Sequence, residues 1–438
     1  MPGVMCVLVL AGCGGSSNHG TGTAAVNNTV ALNASFGPNG SAGGFVNEIL
    51  TNITVCQHGT TTCVAIKDVL VDTGSIGLRI IPSALGSLTL SQIQQNGSGL
   101  LECIQFGDTS YAWGPMELAD VEIAGETAAN IPVQVIGATN FAVPANCLTL
   151  TVMPGQGNND TVQTLGANGI LGIAGNNGTG DGEGIVDCGN LCTTVSFTSG
   201  YPYYTCPNGS CEAVPVPTVN QAANPVAAFS SQDKNGVMIT LPAVSATGAT
   251  SILGTMNFGI GTQSDNGLGN ATLFAMDACG SLPTAKFNNN TYRDTSCTSG
   301  GSGLGAFLDT GSNALFILDA SALSSFGISD CAQSTHGAGF YCTSGGTAVT
   351  LPSISLVGDG NVGSGSISLS IADATTLFNS NNGVFNDLGS DSVITNPSTA
   401  TDFFDLGSPF FVGRTVFIGI AGEAVPNRAN APNGFVAF

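Results

Sequence analysis

Charge is scarce in this sequence, and positive charge most of all: seven Lys and Arg stand against 28 Asp and Glu in 438 residues, a formal net charge of -21. Without a basic surface to neutralise phosphates, nucleic acid is excluded as a partner. With only 8% of residues charged, long solvent-facing helices lack the side chains that usually cover them. The three histidines, His19, His58 and His336, lie in loop-like contexts, so a Ser-His-Asp hydrolase lacks its base. No G-x-S-x-G elbow and no Walker A sequence occurs. Beyond the N-terminus no apolar run approaches the roughly 18 residues that a transmembrane helix needs.

What is abundant points to strands and turns. Glycine occurs 62 times, hydrophobic residues make up 42%, and the length suffices for two lobes with separate cores. Runs such as Val133-Gln134-Val135-Ile136 and Val416-Phe417-Ile418-Gly419-Ile420 are bounded by Gly, Asn and Pro, the pattern of β-strands. A mainly β fold with few short helices follows. The best helical candidate is Pro225–Phe229, with Asn224 as its cap and proline at the first helical position. The Gly/Asn-rich stretch 175–201 reads as a surface insertion. Its Asp181, Glu183 and Asp187 match no calcium loop and are expected to be solvated.

At the N-terminus, the apolar run Val4–Leu10 leads into Leu10-Ala11-Gly12-Cys13, which resembles the lipobox of bacterial lipoproteins. Residues 1–13 are then a signal peptide, with Cys13 the acylated residue, and 14–28 a flexible tether. The resemblance implies export and a lipid anchor in a bacterial membrane, periplasmic or at the cell surface. Setting aside Cys6 and Cys13, the other twelve of 14 cysteines fall as near neighbours, at 56/63, 103/147, 188/192, 206/211, 279/297 and 331/342. Local disulfides in an oxidising compartment are expected. Within Cys188, Cys192, Cys206 and Cys211 the connectivity stays open, and zinc is the rival reading there.

The most informative feature is a duplication. Val69-Leu70-Val71-Asp72-Thr73-Gly74-Ser75 is echoed by Ala306-Phe307-Leu308-Asp309-Thr310-Gly311-Ser312, and each copy runs on into apolar residues and a Ser-Ala-Leu triplet. At nearly equal distances downstream come Ile170-Leu171-Gly172 and Asp405-Leu406-Gly407. Two equivalent lobes follow, placed at 29–240 around Asp72 and 241–438 around Asp309. One Asp-Thr-Gly-Ser sequence is merely a turn, its Asp accepting local backbone bonds. Two copies in matching positions become a pair of facing turns across a pseudo-two-fold axis, with the carboxyls as neighbours. Carboxyls in contact share one proton, so one can deprotonate a water while the other protonates a carbonyl or leaving nitrogen. The aspartic proteases are the standing example of such a pair.

On these motifs, over Asn47–Phe438, the chain resembles the pepsin-like aspartic peptidases and a branch of bacterial lipoproteins that share the duplicated Asp-Thr-Gly-Ser motif. The resemblance implies a bilobal double β-barrel, an endopeptidase acting on peptide or protein substrates, no metal or other cofactor, and a monomer. It carries the catalytic aspartates onto Asp72 and Asp309 and the loop-locking threonines onto Thr73 and Thr310. Gly74, Gly311, Ser75 and Ser312 become supporting residues. The active-site flap would span Cys103–Trp113, with Phe106 where the family has tyrosine and Tyr111 or Trp113 as the substitutes. Arg79 stands near the position of a supporting tryptophan. The alternative reading is a non-catalytic pepsin-fold lipoprotein that binds a protein or peptide partner.

Overall fold

The structure is a computed structural model that describes residues 28–40, 44–148, 156–178, 183–194, 202–293, 305–317, 320–391, 404–426 and 431–438. The lipobox with Cys13, nearly all of the tether, Asp181 and Cys297 lie outside the described residues.

The fold is mainly β, and its plan repeats around the two duplicated motifs. The strand Cys63–Asp72 ends in four consecutive buried residues, Val69 to Asp72, and the next strand, Ile76–Ile80, is buried throughout. Between them lies Gly169–Ile173. It runs parallel to the first, pairing Leu171 with Val71 and Gly172 with Asp72, and antiparallel to the second, pairing Leu171 with Leu78. Gly169–Ile173 is buried at every residue, hence on both faces, which explains why it reads as a near-continuous apolar run. The second half repeats the unit with Ala306–Asp309, Leu315–Ile317 and Phe404–Gly407, pairing Leu308 with Leu406 and Asp309 with Gly407. Each aspartate therefore sits where a strand ends beside a glycine of its neighbour.

Strands from far apart in the sequence tie the molecule together. Thr29–Ser35 pairs with Ile252–Phe258, which pairs with Gly236–Thr240, and this in turn pairs with Thr415–Gly419. Their inward residues, among them Leu32, Met256, Phe258, Ile239 and Val416, are fully buried in the main hydrophobic core. At 25 cal/mol per Å², burying each such side chain contributes roughly 1.5–3 kcal/mol.

Five disulfides join Cys56 to Cys63, Cys103 to Cys147, Cys188 to Cys192, Cys206 to Cys211, and Cys331 to Cys342. Cys279 is also disulfide-bonded. The four cysteines whose connectivity the sequence left open thus pair with their nearest neighbours, and their sulfurs are taken up in those bonds. Among the described residues no helix is long and apolar enough to cross a membrane.

Two local expectations are corrected. Asn224 does accept from the Val226 amide at 3.0 Å as a cap would, but residues 225–228 form a single turn rather than a helix. Phe229 makes a bridge with Ala128, drawing the chain back towards a sheet after that turn. Asp187 is not solvated. Its side chain is 6% exposed, accepts the Tyr203 hydroxyl at 2.6 Å, and lies 3.9 Å from the Arg79 guanidinium.

Candidate active site

The two Asp-Thr-Gly-Ser turns meet, and the threonines make the junction. The Thr73 amide donates to Thr310 Oγ1 and the Thr310 amide to Thr73 Oγ1, both at 3.0 Å. Each hydroxyl then donates into the strand that carries the opposite aspartate: Thr73 to the Leu308 carbonyl at 3.0 Å, Thr310 to the Val71 carbonyl at 2.6 Å. All four bonds are buried. Because a threonine hydroxyl has one proton and two lone pairs, each side chain can accept and donate at once, which alanine or valine could not.

The glycines after the threonines have a steric role. A Cβ on Gly74 would lie 2.4 Å from the Asp309 carboxyl carbon, and one on Gly311 would lie 2.8 Å from Asp72 Oδ1 and 3.1 Å from Asp309 Oδ1. What glycine admits is the carboxyl of the opposite aspartate. The two carboxyls border the same glycine, Gly311, and lie close enough for the charge of Asp72 to act on Asp309.

Their surroundings differ. Asp72 accepts three donors, the amides of Gly74 (2.8 Å) and Ser75 (3.2 Å) and the Ser75 hydroxyl. Asp309 accepts two, the Gly311 amide at 2.8 Å and the Ser312 hydroxyl at 2.9 Å. Burial pushes the Asp309 carboxyl up to about 8, helped by the charge of Asp72 and the bond to it, against the pull of Ser312 and Gly311. A proton is thus best placed on Asp309. No cation is needed to explain this asymmetry. Among the described residues no group of three or more His, Cys, Asp or Glu could hold a metal.

Ser312 also touches a third acid. Its hydroxyl lies 2.6 Å from Asp405 Oδ2, on the strand that runs parallel to Ala306–Asp309. Asp405 is 5% exposed, and burial, then the charge of Asp309, raises its carboxyl well above the ordinary range. Sequence reasoning placed Asp405 only within an apolar-glycine segment. The available signal was the contrast with its counterpart in the first half: register puts Ile170 two residues before Gly172, as Asp405 stands two before Gly407.

A family described as "Protein of unknown function (DUF3443)" matches residues 24–438. The chain belongs to this family. No curated protein matches the DUF3443 chain. Among solved structures it is similar to the crystal structure of aspartic proteinase from Irpex lacteus, at 13% identity and a TM-score of 0.45, covering 93% of this chain and 96% of that one.

In the DUF3443 chain the expected flap is a β-hairpin. Ser98–Gln105 pairs with Tyr111–Ile123, and the turn closes through the Phe106 amide on the Ser110 carbonyl at 2.9 Å. Trp113 is 3% exposed, stands edge-on to Tyr204, and donates its indole N–H to the Phe141 carbonyl at 2.7 Å. Tyr111 packs in that same cluster, while the half-buried Phe106 packs with Ile81, Ala112 and Leu165. Arg79 is fully buried and binds Glu102 Oε1 at 2.7 Å, which ties the strand after the Asp72 turn to the first strand of the hairpin. A cavity of about 200 Å³ lies beside the turns, bordered by Thr73, Gly74, Ala306 and Leu308 but by neither aspartate.

Proposed function

We propose that this DUF3443 protein is an aspartic endopeptidase, with Asp72 and Asp309 as the catalytic pair. One observation carries the reading: two Asp-Thr-Gly-Ser turns on equivalent strands press two carboxyls together, and one of them is raised to about 8. Paired buried carboxyls are costly, and their shared proton is the state that acid-base chemistry requires.

In that chemistry Asp72, ionised and held by three donors, takes a proton from a water as it attacks the scissile carbonyl carbon. Asp309 gives its proton to the carbonyl oxygen. Asp72 then passes its proton to the leaving nitrogen as the C–N bond breaks, and a hydroxyl of the tetrahedral diol gives its proton to Asp309 as the product carboxyl forms, so the pair ends with the single proton it began with. Thr73, Thr310, Ser75, Ser312 and the two glycines fix the geometry and make no bond to substrate. The substrate class is peptides or proteins, the enzyme acts as a monomer without a cofactor, and the lipobox-like Cys13 anchors it to a bacterial membrane after export.

The test is incubation of the tether-free protein with a diverse peptide pool across acid and neutral pH, read by mass spectrometry. Wild type should cleave over a bell-shaped pH range, and Asp72→Asn and Asp309→Asn should each abolish cleavage while remaining folded. A statine-type inhibitor, whose hydroxyl stands in for the attacking water, should bind wild type far more tightly than either variant. If wild type neither cleaves nor binds that inhibitor at any pH, the non-catalytic peptide-binding reading replaces this one.

A further inference from the structure

Ser312 raises a question of proton count. Its single hydroxyl hydrogen serves two carboxyl oxygens, Asp309 Oδ2 at 2.9 Å and Asp405 Oδ2 at 2.6 Å. Two hydrogen bonds need two hydrogens, and a serine hydroxyl supplies one. The other must come from a carboxylic acid.

Of the two acids, Asp405 is the worse place for a charge. Its Oδ1 is buried and has no hydrogen-bond partner among the described residues, whereas Asp309 Oδ1 accepts the Gly311 amide. The charged groups that act on Asp405 are themselves acids, Asp309 and more weakly Asp72, with no Lys, Arg or His among them. An ionised Asp405 would be a buried anion facing other carboxyls without a cation, the arrangement that burial penalises most.

We propose that Asp405 is a positioning residue for the catalytic pair, a permanently neutral acid that donates to Ser312 Oγ and so aims the Ser312 hydroxyl at Asp309 Oδ2. With Oδ2 occupied in this way, the shared proton is left on the side of Asp309 where its Oδ1 and Asp72 Oδ1 both border Gly311. The first half has no equivalent, because Ile170 occupies the matching position and Ser75 bonds Asp72 without help from another acid. The raised pKa of Asp405 fits this assignment. A third acid also gives the two halves of a near-symmetric pair different surroundings, which a division into base and acid requires.

The proposal rests on the peptidase reading for its catalytic half, so the experiment has one arm that does not. Carboxyl ¹³C NMR across pH 3 to 9, assigned with Asp405→Asn, reads the protonation state directly. The Asp405 signal should stay at the neutral-acid position through pH 7, and titration near the ordinary aspartate value of about 4 would overturn the proposal even if the protein cleaves nothing. The second arm compares pH-rate profiles. Asparagine can still donate to Ser312, so Asp405→Asn should leave the alkaline limb within about 0.3 pH unit of wild type. Asp405→Ile, which copies Ile170, cannot donate; kcat should fall about tenfold at unchanged KM, with the alkaline limb displaced upward as the Ser312 hydroxyl, no longer aimed, bonds the charged form of Asp309 less often. An alkaline limb that moves down by a unit or more in Asp405→Asn would mean that Asp405 is ionised in wild type. An Asp405→Ile profile that overlays wild type would mean that it positions nothing. Either result overturns the assignment, whereas an inactive wild type with a neutral Asp405 signal would overturn the peptidase reading alone.

Discussion

Thr73 and Thr310 bind each other's backbone amide through their hydroxyls, at 3.0 Å in both directions, and each hydroxyl also donates to the strand beneath the other's aspartate. The lock is built from four buried bonds between chain segments more than 230 residues apart. Thr→Ala at either position removes one hydroxyl and strands both an amide and a carbonyl. Leaving buried groups unsatisfied costs about 1–3 kcal/mol each, so each variant should lose roughly 2–6 kcal/mol in urea denaturation. Thr→Ser keeps the hydroxyl and should recover most of that loss. If Thr73→Ala unfolds at the wild-type urea concentration, the lock does not hold the turns together.

Most of this arrangement was legible in the sequence because it is duplicated. Repetition of Asp-Thr-Gly-Ser fixed which strands correspond, and the apolar-glycine segments Ile170–Gly172 and Leu406–Gly407 fixed their partners. What escaped was whatever departs from the repeat or depends on three-dimensional neighbours. Asp405 reads as a lone charge in an apolar stretch, and only its register beside Phe307 brings it to Ser312. Asp187 reads as a loop acid because Gly and Asn surround it, yet Arg79 and Tyr203 draw it inside. Pro225–Phe229 carries a correct cap but too little chain to nucleate a helix, since the first turn orders several residues for one bond. The side chain that a hairpin turns inward could not be read from Phe106, Tyr111 and Trp113 alone. It depends on the Phe141 carbonyl that receives the Trp113 indole and on Tyr204 beside it.

Several buried acids share one sign of linkage. Burial raises Glu48 to about 8, Glu117 to about 7 and Asp387 to about 6, and burial with Asp72 nearby raises Asp309 to about 8. A carboxyl whose folded value lies above its unfolded value of about 4 keeps a proton that the unfolded chain has released. Folding stability from these groups is therefore fully present below about pH 4 and is lost as pH rises through 6 to 8. Asp120 runs the other way, lowered by His58 and by the amides of Asn130 and Gly59 against its burial, but it is one half-buried group against four. Melting temperature should accordingly be higher at pH 5 than at pH 8. Asp309→Asn cannot ionise and should flatten the slope, gaining on wild type as pH rises. A Tm that climbs steadily from pH 5 to 8 would contradict the assigned protonation states.

The last prediction concerns Arg79, one of seven basic residues in the chain and fully buried. Its guanidinium meets Glu102 at 2.7 Å, donates to the Ile76 carbonyl at 2.7 Å, and lies 3.9 Å from Asp187, which Tyr203 holds from the other side. One cation thus serves two acids, so the group is neutral only with a proton on one of them, and burial together with the charge of Glu102 raises Asp187. Arg79→Met keeps the volume and removes the charge, leaving both acids without a cation. Breaking a buried pair from one side costs about 3–5 kcal/mol. Adding Glu102→Gln to Arg79→Met removes the stranded charge and should restore at least half of the loss. Because Glu102 belongs to the hairpin strand Ser98–Gln105 and Arg79 to the strand that follows the Asp72 turn, hydrogen exchange should report faster opening of the hairpin in the single variant than in the double one. Equal stability of Arg79→Met and wild type at pH 8 would show that the guanidinium only fills space between the turn and the hairpin.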